Sequence, residues 1–164
     1  MHRLKPRDER SLVVLTPVEG ALRSSPSATC DEIRGAIDVL AGRGVPVVIA
    51  SHHSPSDLMA IQQQIGIRQP FIAGCGRVVF IPRGYFDRVP ELARMSPEWE
   101  ILEVAHRSVE QAIDLLLWLF RASGGSPLLV GLGVSLRDRA LLRHVDVPVV
   151  INSNSVDQRT LRAE

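Results

Sequence analysis

The chain has 164 residues, of which 45% are hydrophobic and 23% charged, and its formal net charge is +1. This length and balance predict one globular domain with its own core, and the near-neutral charge argues against nucleic acid or an anionic membrane as partner. The two cysteines lack metal-ligand spacing, the N-terminus lacks a signal peptide, and no apolar run approaches the about 20 residues of a membrane span. We therefore expect a cytoplasmic protein with no membrane partner and no structural zinc.

Apolar runs and helical patterns alternate along the chain. Short apolar runs bounded by turn residues predict buried strands at 11–16, 45–50, 71–73, 77–81, 128–131 and 147–151. Apolar residues at helical spacing predict helices at 29–42, 55–65, 98–122 and 136–144. Strands that are apolar almost throughout and alternate with helices are typical of a mainly parallel sheet covered on both faces. The pattern therefore predicts a three-layer, Rossmann-like α/β fold.

The longest predicted helix runs from 98 to 122, and its second half is apolar on every side. A helix of that kind is buried all round. Its cover comes either from the chain's own core or from a second copy of the chain. In the second case Leu115, Trp118 and Leu119 form a subunit interface, and the protein is a homodimer.

Three loops are candidates for a functional site. In an open parallel sheet, ligands bind beyond the carboxyl ends of the strands and close to helix N-termini. The loops at 17–27, 51–54 and 132–135 meet that description. Their polar side chains, with one acid a helical turn further on, are those of Glu19, Ser51, His52, His53, Ser54, Ser135 and Asp138.

The second of these loops is a candidate anion site. Ser51, His52, His53 and Ser54 precede a helix whose start is marked by Ser54 followed by Pro55. Neighbouring side chains diverge in an extended loop, so we expect His52 and His53 to be poor joint ligands for a metal.

Residues 44–86, GVPVVIASHHSPSDLMAIQQQIGIRQPFIAGCGRVVFIPRGYF, contain a strand, a serine, a helix ended by glycine, and then PFI and FIPRGYF. In order and spacing this segment resembles the mannosyl-3-phosphoglycerate phosphatases of the haloacid dehalogenase (HAD) superfamily, and 12–50 and 127–151 extend the likeness. The resemblance implies a HAD-like core domain at 11–151, flanked by an N-terminal tail (1–10) and a polar C-terminal tail (152–164). The family's cap, or lid, follows FIPRGYF, so the irregular segment 82–97 is interpreted as the remnant of a deleted cap.

The reaction centre implied by this resemblance is degenerate at its first motif. In the family one aspartate attacks phosphorus and a second, two residues on, protonates the leaving group. In LVVLTPVEGAL (12–22) these positions hold Pro17 and Glu19. Ser51 corresponds to the hydroxyl that holds a phosphoryl oxygen.

The metal-binding motif and the phosphate-binding lysine are degenerate as well. GLGVSLRD (131–138) has the frame of the family's magnesium loop, with Val134 in place of the leading aspartate and Asp138 retained. The chain's one lysine is Lys5, outside the core. We therefore expect no magnesium or other cofactor.

These observations leave three functions open. The first is a homodimeric binding or regulatory protein that has lost phosphatase activity and takes a phosphate-containing small molecule. The second is a metal-independent phosphoester hydrolase in which Glu19, His52 or Ser51 activates water. The third is a structural subunit of a complex, with no small ligand.

Overall fold

The computed structural model describes residues 11–22 and 30–151. In these residues the strands are β1 (Leu12–Thr16), β2 (Val47–Ala50), β3 (Phe71–Ala73), β4 (Val78–Pro82), β5 (Arg94–Met95), β6 (Trp99–Glu103), β7 (Leu128–Gly133) and β8 (Val147–Val150). The helices are α1 (Cys30–Gly42), α2 (Pro55–Ile65), α3 (Val109–Ala122) and α4 (Arg139–Arg143), and a 3₁₀ turn at Leu136–Asp138 precedes α4. The two predicted tails and the predicted start of the first helix at Thr29 lie outside the described residues.

The strands form one sheet in the order β5-β6-β4-β3-β2-β1-β7-β8. The five neighbouring strands β3, β2, β1, β7 and β8 pair in parallel. On the other side of β3, the pairs β3–β4, β4–β6 and β6–β5 are antiparallel. At the centre, Val14 of β1 is in register with Val47 on one side and Val130 on the other. The predicted α/β class with a mainly parallel sheet is confirmed.

Two hydrophobic clusters lie on opposite faces of the sheet. Successive strand residues point to opposite faces, so Val48 and Ile72 join the cluster under α3 and α4, while Ile49 and Phe71 join the cluster under α1 and α2. All four are fully buried, and burying each such side chain contributes about 1.5–3 kcal/mol. Helices therefore cover both faces, as the predicted three layers require.

The long helix begins at Val109, so the prediction that it starts at Glu98 is wrong. Residues 99–103 form β6, which lies between β4 and β5. Trp99 packs edge-on against Phe71, with ring centroids 5.2 Å apart. The helix is capped instead by Ser108, whose side chain accepts a hydrogen bond from the Gln111 backbone N–H. Pairing with β4 has therefore overridden a pattern that also suits a helix.

Helix α3 has a solvent-exposed face, so the prediction that it is buried on every side is wrong. Leu119 is fully buried in the core of its own chain and cannot be an interface residue. Leu115 is half-buried and packs against the same core cluster. Trp118 is 50% exposed, and Asp114 is exposed one turn before it. The amphipathic helix thus needs no second chain to bury most of its apolar residues.

The segment interpreted as a cap remnant is held to the core by aromatic side chains. Phe86 is buried and lies edge-on to Phe120 of α3, with ring centroids 4.9 Å apart. The Tyr85 hydroxyl donates a 2.6 Å hydrogen bond to Gln69 Oε1, and burial raises the pKa of Tyr85 to about 12. Further along, the short β5 pairs with β6. Whether the segment descends from a cap stays a prediction.

Within the described part of the chain, no helix combines the length and apolar character that crossing a membrane requires.

Candidate functional site

A cavity of about 1070 Å³ opens beyond the carboxyl ends of β1, β2 and β7. Its lining includes 17–20, 50–52, 108–110 and 134–135, together with residues at the start of α4. The cavity thus joins parts of all three loops that the sequence singled out. The start of α3, which sequence reasoning had not placed at this edge, forms a further wall.

Pro17 is buried at the cavity, directly after β1. The Thr16 hydroxyl donates a 3.0 Å hydrogen bond to the Pro17 carbonyl and ties down this turn. Proline offers no nucleophilic atom in its side chain. Glu19 also lines the cavity, but its side chain is 59% exposed.

Val134 closes the position where the resemblance implies a magnesium ligand. It packs so tightly on the first loop that a Cβ atom added to Gly20 would lie 2.6 Å from Val134 Cγ2. An apolar contact therefore occupies the space between the ends of β1 and β7.

Asp138 serves the backbone of its own loop. Its Oδ2 accepts hydrogen bonds from the backbone N–H of Val134 at 2.9 Å and of Ser135 at 3.0 Å. The Ser135 hydroxyl contributes a third contact at 3.3 Å. Magnesium needs near-octahedral oxygen ligands, usually with one or two carboxylates. This donor set does not fit the ion, because the retained carboxylate is engaged by N–H groups and its neighbour is valine. Within residues 11–22 and 30–151, no three His, Cys, Asp or Glu side chains cluster as metal ligands would.

The glycines of β7 serve packing. A Cβ atom on Gly131 would lie 2.7 Å from Leu141, and one on Gly133 would lie 2.6 Å from Leu142. Both glycines allow α4 to approach the strand closely. The close packing of α4 is sufficient to explain both glycines, and a phosphate-binding loop is not needed.

Ser51, His53 and Glu19 form a continuous polar chain. Ser51 Oγ and His53 Nδ1 are 2.6 Å apart, and His53 Nε2 is 3.5 Å from Glu19 Oε1. The His53 backbone N–H also reaches Ser51 Oγ at 3.3 Å. The sequence identified these residues separately but did not predict that they would be joined.

The two histidines lie together, so the expectation that their side chains diverge is wrong. Their ring centroids are 4.4 Å apart and the rings are tilted by 31°. The loop is bent at these residues, and the contact of the His53 N–H with Ser51 Oγ stabilises that bend. His52 lines the cavity with Ser51, whereas His53 is not among the lining residues.

Ser54, the fourth anion candidate, caps α2 outside the cavity lining. Its hydroxyl donates to Asp57 Oδ2 at 2.6 Å and accepts from the Asp57 backbone N–H at 3.2 Å. The carboxylate of Asp57 thus occupies the first turn of α2, where an anion would otherwise be attracted.

A left-handed turn links Ser51 to α3. Gly74, Cys75 and Gly76 have φ angles of 59°, 57° and 90°. The Cys75 N–H donates to the Ser51 carbonyl at 3.2 Å. A Cβ atom on Gly76 would lie 2.2 Å from the carbonyl carbon of Ser108, so only glycine allows this contact. The Gly-Cys-Gly sequence was the signal for this turn, but the sequence did not show that it supports the wall of a site.

Comparison with known proteins gives a limited match in sequence. No family model matches the chain. A glucosyl-3-phosphoglycerate/mannosyl-3-phosphoglycerate phosphatase from Persephonella marina is 28% identical over 74 residues. That match covers 45% of this chain and 28% of the relative, so it spans well under half of the relative's length.

Solved structures match over almost the whole chain. A phosphatase of the HAD superfamily from Bacteroides thetaiotaomicron superposes with a TM-score of 0.63 at 15% identity, covering 94% of this chain and 90% of that one. A sugar phosphatase of HAD subclass IIB gives a TM-score of 0.60 at 10% identity, with 92% and 91% covered. This chain has the HAD-like fold. In this HAD-like chain, the cavity lies where the sequence resemblance implied a reaction centre.

A third HAD-like structure agrees. A haloacid dehalogenase-like hydrolase from B. subtilis gives a TM-score of 0.60 at 13% identity, with 89% of this chain and 91% of that chain covered. At such identities the likeness concerns the HAD-like fold, and the chemistry has to be argued from the side chains in the cavity.

Proposed function

We propose that this HAD-like chain has lost the aspartyl-phosphate reaction and acts as a binding or regulatory protein whose ligand occupies the cavity. The observation that carries the proposal is Pro17. It is buried at the end of β1, at the cavity, in the position implied for the nucleophile. No rearrangement of the loop can supply a nucleophile there, because the residue has none.

The same proposal holds that magnesium does not act in this cavity. Val134 packs on Gly20 where a carboxylate would be needed, and Asp138 is engaged by the N–H groups of 134 and 135. Without a cation, the charge that develops on a transferring phosphoryl group is not neutralised.

The ligand we propose is a phosphate-containing small molecule. The volume of the cavity lies just above the usual range for small-molecule sites, about 300–1,000 Å³. Arg137 lines the cavity and is suited to a phosphate group. The Persephonella marina relative is a glucosyl-3-phosphoglycerate/mannosyl-3-phosphoglycerate phosphatase, so glycosyl phosphoglycerates are the first compounds to test.

The first prediction concerns activity and binding together. The purified chain should release no phosphate from mannosyl-3-phosphoglycerate above background, with or without magnesium. The same compound should nevertheless raise the melting temperature, since a ligand present at about 100 times its Kd stabilises the folded state by about 2.7 kcal/mol. Phosphate release and thermal shift are measured on the same preparation.

Two variants serve as controls. Arg137→Ala should reduce the thermal shift, whereas Arg88→Ala, an exposed arginine outside the cavity lining, should leave it unchanged. Magnesium-dependent release of phosphate by the unmodified chain would contradict the proposed loss of activity. A flat thermal-shift response to sugar phosphates would contradict the proposed ligand.

A further inference from the structure

We propose that Ser51 is a nucleophile toward the carbonyl carbon of an uncharged carboxylic ester, with His53 as its general base and Glu19 as the positioning residue for His53. This inference goes beyond the proposed function, which concerns the loss of phosphoryl transfer and the binding of a ligand. It assigns to the same cavity a reaction that needs neither the missing aspartates nor a metal.

The distance between Ser51 and His53 is that of an activated serine, and Glu19 lies at ion-pair distance from the same imidazole. Ser51 Oγ is 2.6 Å from His53 Nδ1, within reach of direct proton transfer. On the other side of the ring, Nε2 is 3.5 Å from Glu19 Oε1. The carboxylate favours the tautomer with its proton on Nε2, and that tautomer leaves Nδ1 free to accept the serine proton. Nucleophile, base and orienting acid thus follow in order.

The backbone holds these side chains in place. The Ser51 N–H donates to the Ile72 carbonyl at 3.0 Å, and the Ser51 carbonyl accepts from the Cys75 N–H at 3.2 Å. The His53 carbonyl accepts from the Gly74 N–H at 3.2 Å. The nucleophile and its base are therefore fixed to β3 and to the turn that follows it, which keeps the reacting atoms aligned.

The nucleophile is open to the cavity, whereas its base is not part of the cavity lining. Ser51 lines the cavity, so a bound molecule can reach its hydroxyl. His53 is outside the lining, with 20% of its side chain exposed. Protons can therefore pass between the serine and the imidazole without the base blocking the cavity.

The charges around Ser51 favour an uncharged group as the site of attack. Glu19, Glu110 and Asp138 line the same cavity, and Arg137 is the one arginine among its described lining residues. Carboxylates repel a phosphoryl dianion but not a neutral ester carbonyl. The proposal specifies only that the bond broken is a carboxylic ester bond. A substrate that also carries a phosphate group, held near Arg137, is therefore compatible with it.

The first turn of α3 offers backbone N–H groups to a carbonyl oxygen that becomes negative. The Cys75 N–H contacts the Ser51 carbonyl, and the adjoining Gly76 packs directly on Ser108. This contact brings the first turn of α3, a 14-residue helix, to the cavity wall. The N–H groups of 109–110 belong to that turn and lack helical acceptors, so they can stabilise the oxyanion.

The reaction balances without a co-reactant other than water. Ser51 Oγ bonds to the carbonyl carbon while its proton moves to His53 Nδ1. The carbon–oxygen bond to the alcohol then breaks, and the alcohol oxygen takes that proton and leaves. Water attacks the acyl carbon and gives a proton to Nδ1. That proton returns to Ser51 Oγ as the carboxylic acid departs.

Labelling of the unmodified chain tests the nucleophile without any variant. A fluorophosphonate reacts with activated serines by displacement of fluoride. We expect one adduct, located on Ser51 by peptide mass spectrometry. Absence of an adduct, or an adduct confined to other residues such as Cys75, would overturn the proposal.

Hydrolysis of p-nitrophenyl acetate tests the base. His53→Ala should lower kcat by about 10²–10⁴-fold, the usual contribution of a general base, and added imidazole should restore part of the rate. Ser51→Ala should abolish the acylated intermediate seen by mass spectrometry. His144→Ala and Ser126→Ala, which change a histidine and a serine outside the cavity lining, should behave as the unmodified chain.

The positioning residue has its own readout. Glu19→Gln should lower kcat with little change in KM, and Glu19→Asp should retain more activity than Glu19→Gln. Equal activity of Ser51→Ala and the unmodified chain would overturn the proposal. Ser51-dependent turnover of p-nitrophenyl phosphate without turnover of the acetate would overturn the ester class. Thermal shifts with sugar phosphates are measured separately, so failure here is distinct from failure of the proposed binding function.

Discussion

Pro17 and Val134 follow neighbouring strands and meet the same cavity, and each is compatible with the backbone around it. Pro17 is buried after β1, and Val134 packs on Gly20. Such residues can replace carboxylates without disturbing the fold, because they remove charges that would otherwise need partners. The replacement changes the chemistry of the cavity while its walls stay in place.

Substitution of Gly76 tests whether its contact with Ser108 holds the start of α3 at the wall of the cavity. It has φ of 90°, and a Cβ atom there would meet the Ser108 backbone at 2.2 Å. Gly84 has a similar φ of 74° with no atom within 4 Å of such a Cβ. Gly84→Ala should therefore cost about 1–2 kcal/mol from the left-handed backbone. Gly76→Ala should cost a further 1–3 kcal/mol or so, because overpacking adds to the strain.

Urea unfolding of the two variants measures this difference. Equal losses of free energy of unfolding would mean that α3 can move away from the turn at little cost. In that case the contact between Gly76 and Ser108 would not fix the wall of the cavity.

The sequence anticipated the separate residues of the site better than their arrangement. Glu19 and Ser51 were predicted at the carboxyl edge of the sheet because parallel strands end there together. Their connection through His53 depends on a bend in one loop, and no periodic pattern encodes that bend. For the same reason the close contact of the His52 and His53 rings contradicted an expectation based on an extended loop.

At the level of elements, the stretch before α3 shows that one segment can suit both a helix and a strand. Residues 99–103 suit a helix by composition, but they pair with β4 and form β6. The signal for the true start was Ser108 with Gln111 three residues later, which is the spacing of a capping box. Pairing between strands that are distant in sequence cannot be read from a local window, so this boundary was misplaced.

Leu119 tests the core contribution of α3. It is fully buried, so Leu119→Ala should lower the free energy of unfolding by about 2–5 kcal/mol. The same substitution at Leu92, which is 94% exposed, should change it by less than about 0.5 kcal/mol. Thermal or urea unfolding measures both. A small effect at Leu119 would show that the helix is held mainly by contacts outside this core.

At the level of the whole molecule, alternation of strands and helices predicted the layers but not the edge of the sheet. The parallel half follows from apolar strands separated by helices. The antiparallel extension through β4, β6 and β5 depends on short connections whose partners could not be identified from local patterns. The cavity was predictable in position because it lies on the parallel half.

The exposed face of α3 is where a homodimer would form. Trp118 is 50% exposed, with Asp114 one turn before it and Arg121 one turn after it, both exposed. In a two-fold pair of antiparallel helices centred on Trp118, each Asp114, which also contacts His144 Nε2 of its own chain at 2.7 Å, would approach Arg121 of the partner subunit. A half-exposed tryptophan flanked by complementary charges is suited to such an interface.

We therefore expect light scattering to report about twice the chain mass at micromolar concentration. Trp118→Glu should shift the species toward monomer without unfolding it, because a buried pair of carboxylates at the two-fold axis would repel. Val39→Glu, at a 57% exposed position on α1, is the matched control and should leave the dimer intact. A monomeric unmodified chain would show that Trp118 is simply solvated, and dissociation by both variants would indicate a general effect of added charge rather than an interface on α3.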